Sequence, residues 1–160
     1  MIVLRNLSES DFKDLKKFVS NSQVTKYLTW KPYFDDKKIR EFLEKSIACV
    51  DFPNEYLAII YKGKLIGTIH LIDRYQGCVQ FGFGIMPDLW GQGLGNVAVC
   101  MTLDYIKKTK WSERVKEIWA DTHKDNLIAK KILLKNNFIN TGFIDDENIR
   151  ERYKLIWTKI

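Results

Sequence analysis

Residues 87–100 read PDLWGQGLGNVAVC. Gly91, Gly93 and Gly95 alternate with Gln92 and Leu94, and an apolar helical pattern follows at once. Glycine loses more backbone entropy on folding than any other residue, so this density needs a reason. Either something approaches the main chain closely, or φ must turn positive. The N–H groups of a helix's first turn lack internal partners. The helix dipole adds the equivalent of about half a positive charge there. With no Cβ in the way, phosphate oxygens reach those N–H groups, so residues Gly91, Gln92, Gly93, Leu94, Gly95 and Asn96 form an anion cradle. A tight turn packed closely against a helix would use the same glycines without any ligand.

The spacing narrows the phosphate ligand. A dinucleotide fingerprint needs G-x-G-x-x-G within a βαβ unit, whereas this loop reads G-x-G-x-G with no such unit before it. A P-loop ends in Gly-Lys-Ser/Thr, whereas Gly95 is followed by Asn96. Metal chemistry is not expected. Cys49, Cys78 and Cys100 are far apart with no CxxC pair, and His70 and His123 are the only histidines.

The elements that must position the loop follow from periodicity. IVLRNL starts as a strand, and Ser8 with Asp11 three residues later marks a helix start. Phe12, Leu15, Phe18 and Val19 then recur at helical spacing. A second helix starts at Asp35-Asp36 and lines one face with Ile39, Phe42, Leu43 and Ile47. EYLAIIYKGKLIGTIHLID is a hairpin about Lys62-Gly63-Lys64, and CVQFGFGIM is the next strand. Gly82 and Gly84 inside that strand suggest a bulge or a close backbone neighbour. From Leu94 a helix presents Leu94, Val97, Ala98, Met101 and Tyr105 on one face. VKEIWADT is a short buried strand, NLIAKKILLKNN a helix, and FINTGFI and RERYKLIWTK a final strand pair about DDEN. The expected fold class is therefore α+β: a mixed, mostly antiparallel sheet of about six to seven strands flanked by about four helices, in one domain over residues 1–160.

GIMPDLWGQGLGNVA resembles the acetyl-CoA signature of the GNAT superfamily of N-acetyltransferases, Arg/Gln-x-x-Gly-x-Gly/Ala. Gly93 and Gly95 match its glycines, and Trp90 takes the Arg/Gln position, as in the branch resembling ribosomal-protein N-terminal acetyltransferases. DNLIAKKILLKNNF is similar to the second family motif through Asn126, Ala129 and Phe138. Asn137 stands where the family has glycine, and asparagine is the next-best left-handed helix stop. VTKYLTW also resembles that branch, so the likeness covers nearly the whole chain.

The resemblance implies direct acetyl transfer from acetyl-CoA to a primary amine. It implies that the middle strands splay, and that the pantetheine arm enters the gap beside Ile85 and Met86. It implies a pyrophosphate on the amides of residues 91–96, and a thioester carbonyl near the amide of Ile85. Asn126 would bond the pantetheine amides, and Lys130 or Lys131 would approach a phosphate. Dimers are common in the family, though no residue here demands one.

The pattern departs from the family at its proton carriers. A carboxylate base often sits where Gln80 stands, and a tyrosine acid where Leu133 stands. Three accounts stay open: a water chain oriented by Gln80, another base among Asp121, His123, His70 and Tyr153, or an acyl-CoA-binding module with little turnover. The water chain is favoured, because a thioester is already activated and positioning alone supplies roughly 7–11 kcal/mol. His70, among apolar neighbours, also reads as a satisfied core histidine.

Acceptor choice would fall to Tyr27, Trp30, Tyr33 and Phe34 and to Asp145, Asp146 and Glu147, since aromatic walls with acids suit a cationic amine. The same residues also read as core aromatics and a solvated acidic turn. The branch likeness points to a protein N-terminus, with a polyamine, an aminoglycoside or another small amine still open.

The net charge of +6 invites phosphates, but the lysines are scattered with no run of five. No helix pairs a basic face with base-reaching residues, which argues against nucleic-acid binding. No apolar stretch approaches the ~20 residues of a membrane helix. MIVLRNLSESDF lacks a signal-peptide pattern, so the cytosol is the expected location.

Overall fold

The computed structural model describes residues 1–157. One sheet runs through it: β1 (Ile2–Asn6), β2 (Asn54–Tyr61), β3 (Lys64–Tyr75), β4 (Cys78–Ile85), β5 (Glu117–His123), β6 (Ile139–Phe143) and β7 (Arg150–Ile156). Their order is β1-β2-β3-β4-β5-β7-β6. All neighbours are antiparallel except β4 and β5. Four helices have eight residues or more: α1 (Phe12–Val19), α3 (Asp36–Ala48), α4 (Leu94–Lys108) and α6 (Leu127–Lys135). Two single-turn helices, α2 (Ser22–Thr25) and α5 (Trp111–Arg114), carried no periodic signal because four residues hold no stripe. In the expected last strand, Thr158 and Lys159 lie outside the described residues.

Local chemistry sets most boundaries. Ser8 and Asp11 close a reciprocal capping box. Arg5 grips Asp11 through two bonds of 2.7 Å. Asp35 accepts from Lys37 N at 2.8 Å and so starts α3. Lys62 (φ 50°) and Gly63 (φ 76°) make the two-residue turn between β2 and β3. Such a turn needs positive φ twice. Asn137 stops α6 at φ 65°, and Phe138 N closes back on Leu133 O at 3.1 Å.

The sheet divides two cores. On one face Ala98, Val99 and Ile106 of α4 and Leu133 of α6 pack with Ile69, Leu71, Phe81, Ile118 and Phe138. On the other, Leu15, Phe18, Ile39 and Leu43 of α1 and α3 pack on Ala58 and Leu65. The buried stripe of α4 is Ala98, Val99, Thr102 and Ile106, rotated from the expected face, and Val97 is 43% exposed. Thr102 hides its hydroxyl by donating to Ala98 O at 2.8 Å. It thus packs as an apolar residue that hydrophobicity alone does not reveal.

Gly82 and Gly84 need a second correction. The β3–β4 register runs unbroken past both, so neither marks a bulge. A Cβ on Gly82 would lie 2.0 Å from His70 Cε1, and one on Gly84 would lie 2.9 Å from Phe18 Cζ. The close neighbours are side chains, not backbone.

The feature that positions the site is a gap. β4 and β5 pair in parallel only at Cys78↔Glu117, Val79↔Ile118 and Gln80↔Trp119. Beyond those rungs β4 continues to Ile85 and β5 to His123.

Candidate active site

The far end of β4 presents unpaired main chain to this gap. Met86 N donates to Ile66 O at 2.7 Å. Alternate residues of an antiparallel strand point to the same neighbour, so Phe83 and Ile85 direct their main-chain groups away from β3, towards β5. Pro87 stops the ladder and opens a short 3-10 turn, Pro87–Leu89. Trp90 N closes on Pro87 O at 3.0 Å. The turn folds Trp90 back, and its Nε1 donates to Ile85 O at 2.7 Å. Trp90 was expected at the signature position, but this bond links its side chain to the strand end in a way that spacing does not show.

The three glycines divide by cause. Gly91 (φ 77°) and Gly93 (φ 75°) hold left-handed conformations, with no protein atom within 4 Å of where a Cβ would stand. Gly93 is the N-cap of α4, a helix of 15 residues. The amides of Leu94, Gly95 and Asn96 open that helix without internal partners. Gly95 has ordinary φ, and its Cβ would touch Ile132 Cδ1 at 3.0 Å. The loop thus divides by position. Gly91 and Gly93 leave open space, whereas Gly95 lets α4 approach α6. The side chain of Asn96 turns to α6, where its Oδ1 accepts from Asn136 Nδ2 at 3.0 Å, so only its amide serves the cradle.

Among the other expected contacts, Asn126 caps α6 by accepting from Ala129 N at 3.2 Å. Its Nδ2 donors remain for a ligand. Lys130 pairs with Glu151 on β7 in a largely buried contact, so its charge is already matched. That ammonium holds the Glu151 carboxyl below its usual range, against burial. Lys131 is exposed at the next position.

The candidate proton carriers are not brought together. Gln80, Asp121, His123 and His70 share the face of α1 and α3, while Tyr153 lies on the other. Arg74 Nε donates to Gln80 Oε1 at 2.6 Å, which fixes the amide and leaves its Nε2 donors unspent. Asp121 is not a free base: Arg152 grips it at 2.7 and 2.8 Å while lying 3.4 Å over the Trp119 ring. His123 Nδ1 accepts from Asp125 N at 3.1 Å. That leaves only Nε2 of the ring for another partner. Tyr153 is buried, its hydroxyl raised in pKa first by burial and then by Glu151. That hydroxyl meets Asn140 Nδ2 at 3.3 Å on β6, the strand farther from the gap. Leu133 is core. His70 is different: neither nitrogen has a hydrogen-bond partner among the described residues, and desolvation lowers its pKa from 6.5 to about 4. It lies flat against Gly82 as a neutral ring.

The expected acceptor wall shrinks. Trp30 and Tyr33 stack at 5.3 Å and pack into the second core, while Phe34 is exposed. Tyr27 lies beside the end of β5, 5.3 Å from the His123 ring. Asp145 is a turn cap, accepting from Ile149 N and Arg150 N at 2.7 and 2.9 Å, and Asp146 and Glu147 are exposed. The partners Arg74 and Arg152 escaped sequence reading, because only the folded sheet sets Arg152 opposite Asp121 and brings Arg74, at the irregular end of β3, to Gln80. Among the described residues no cluster of three or more His, Cys, Asp or Glu could hold a metal ion, and no helix is long and apolar enough to cross a membrane.

Comparison with known proteins agrees with this geometry. The family model of the acetyltransferase (GNAT) domain matches residues 2–139. A relative described as the uncharacterized N-acetyltransferase p20 of Bacillus licheniformis is 25% identical over 150 residues, 91% of this chain and 83% of that protein. The ribosomal L7/L12 alpha-N-protein acetyltransferase RimL, solved with coenzyme A, superposes with a TM-score of 0.84 at 14% identity, covering 99% of this chain and 96% of that one. The spermidine N-acetyltransferase of Vibrio cholerae, solved with CoA and spermine, gives 0.81 at 20% identity, covering 97% and 95%. These two likenesses establish a shared fold.

Proposed function

Because the chain belongs to the GNAT family of acetyl-CoA-dependent acetyltransferases, we propose that it transfers the acetyl group directly to a primary amine at the β4–β5 gap, with a protein N-terminus the favoured acceptor. The observation that carries this reading is the free edge of β4 at Phe83 and the Ile85 amide, which runs into a loop of unpartnered helix amides. Acetyl-CoA supplies an activated thioester. The chain supplies position and polarity. Amides of residues 91–96 receive the diphosphate. The free edge of β4 adds pantetheine as one more strand, and Asn126 Nδ2 donates to it. The Ile85 amide sits where negative charge develops on the carbonyl oxygen. Such a donor is worth about 3 kcal/mol elsewhere. Lys131 adds a cation beside the cradle.

An amine with a pKa near ~10.4 must lose a proton before it attacks. The carboxylates of β5 are not free to take it: Asp121 is held by Arg152 and Glu117 by Lys154. We assign the proton to a water chain along the face of α1 and α3, with Gln80 Nε2 orienting it. A cytosolic site of action belongs to the same reading, supported by three cysteines that are all free thiols.

The test is thermal unfolding with and without acetyl-CoA, followed by thiol release with a panel of peptides, polyamines and other small amines. A raised Tm and thiol release with one acceptor class are expected. A raised Tm with no thiol from any amine would overturn the transfer step. No change in Tm would overturn the cradle.

A further inference from the structure

The rim of the gap beyond β5 is cationic. Continuing the Gln80↔Trp119 register brings Gly82 level with Asp121 and Gly84 level with His123. On β7, Arg152 stands opposite Asp121 and Arg150 opposite His123. Arg150 therefore stands level with the end of β4 that carries Ile85. It lies on the face of α1 and α3, where its Nη2 donates to Tyr27 O at 2.8 Å.

Three of the acids near this row are already committed. Asp121 pairs with Arg152, Glu117 with Lys154 at 3.2 Å, and Asp145 with two main-chain amides. Asp125 lies beside His123 at 3.7 Å. Arg150 has no carboxylate within ion-pair distance among the described residues, and its one side-chain bond goes to a neutral carbonyl. A guanidinium offers five donors, so most of Arg150's are unspent. Arg74, at the closed end of the gap, likewise meets only the neutral amide of Gln80. A second cation on the acceptor would meet the uncompensated guanidinium of Arg150. A carboxylate would complete a charge-assisted pair there.

We propose that the acceptor is a primary amine bearing a carboxylate on the same molecule, and that Arg150 receives that carboxylate. The proposal rests on the gap being the transfer site. It replaces the expectation of an acid-lined pocket for a cationic amine. The carboxylate has two sources, an acidic side chain near a peptide N-terminus or the α-carboxylate of a free amino acid, and the test separates them.

The full chain is assayed for thiol release from acetyl-CoA with alanyl-glutamyl, alanyl-glutaminyl and alanyl-lysyl peptide amides, free glutamate and spermidine. The glutamyl peptide or free glutamate should exceed the glutaminyl and lysyl peptides by about tenfold or more in kcat/KM, as for a charge-assisted contact. The glutamyl peptide leading identifies a peptide acid, and glutamate leading identifies the α-carboxylate. Arg150→Gln should collapse the glutamyl-to-glutaminyl ratio through KM, and Arg150→Glu should turn preference towards the lysyl peptide. Retained stabilisation by acetyl-CoA confirms that the variants fold. Spermidine or the lysyl peptide leading in the native enzyme would overturn this proposal and leave the transfer reading intact. So would an equal loss on every acceptor in Arg150→Gln. Thiol release with none of them would overturn both.

Discussion

The indole N–H of Trp90 donates to the main-chain carbonyl of Ile85 across 2.7 Å. The same peptide plane is held on its other edge, where Met86 N donates to Ile66 O at 2.7 Å. The last peptide of β4 is thus fixed from both sides, and with it the adjoining amide of Ile85. Where the family signature places Arg or Gln, this chain uses an indole to hold the strand end.

Trp90→Phe keeps a ring and removes the donor. Losing one part-buried hydrogen bond costs about 1 kcal/mol, so kcat should fall by roughly fivefold. Trp90→Gln, which restores a donor, should recover part of that loss. Steady-state kinetics of both variants check this. Equal kcat in Trp90→Phe and native enzyme would show that the indole only fills space.

The loop glycines should separate by mechanism. Gly93→Val forces a left-handed residue, at about 1–2 kcal/mol. It also puts its side chain into the open cradle. Acetyl-CoA affinity should drop by far more than that figure implies. Gly95→Val instead drives a side chain into Ile132. Such overpacking costs about 1–3 kcal/mol. Denaturant unfolding and acetyl-CoA titration of both variants distinguish the roles. Matching losses of stability and affinity in Gly93→Val would mark the loop as packing alone.

Gly82 and His70 form one steric unit. Gly82→Ala places a methyl 2.0 Å from His70 Cε1, so the ring must move. His70→Ala removes that clash. The double variant should be more stable than the sum of the single effects predicts, by about 1 kcal/mol or more. Strict additivity in urea unfolding would refute the contact.

His70 should also make stability depend on pH. Burial lowers its pKa from 6.5 to about 4. Between those values the unfolded chain binds the proton and the folded chain does not, so stability falls as pH drops from 6.5 towards 4. With each pKa unit worth about 1.4 kcal/mol, the loss is about 3 kcal/mol. Glu151, held low by Lys130, adds its own loss from about pH 4.5 downward and does so equally in a variant. The difference in unfolding free energy between native protein and His70→Gln should therefore slope across this window. A flat difference would mean that His70 titrates normally.

Much of the fold was legible because its signals are local. Ser8 with Asp11, Asp35, the Lys62-Gly63 turn and Asn137 each act within a few residues, so backbone preference and capping are enough. The shape of the glycine loop was legible for the same reason. Positive φ at Gly91 and Gly93 and the start of α4 belong to one short segment.

The proton carriers and the charge of the acceptor site were not legible in that way. Asp121 reads as a base until β7 lays Arg152 beside it, and Lys130 reads as a phosphate ligand until Glu151 meets it. Sequence by itself determined the loop, the order of the elements and the family's chemistry, since those depend on neighbours along the chain. Only the tertiary structure decided which charges are spent and which, like that of Arg150, remain open. A side chain's protonation and availability depend on partners that strand pairing brings from distant positions.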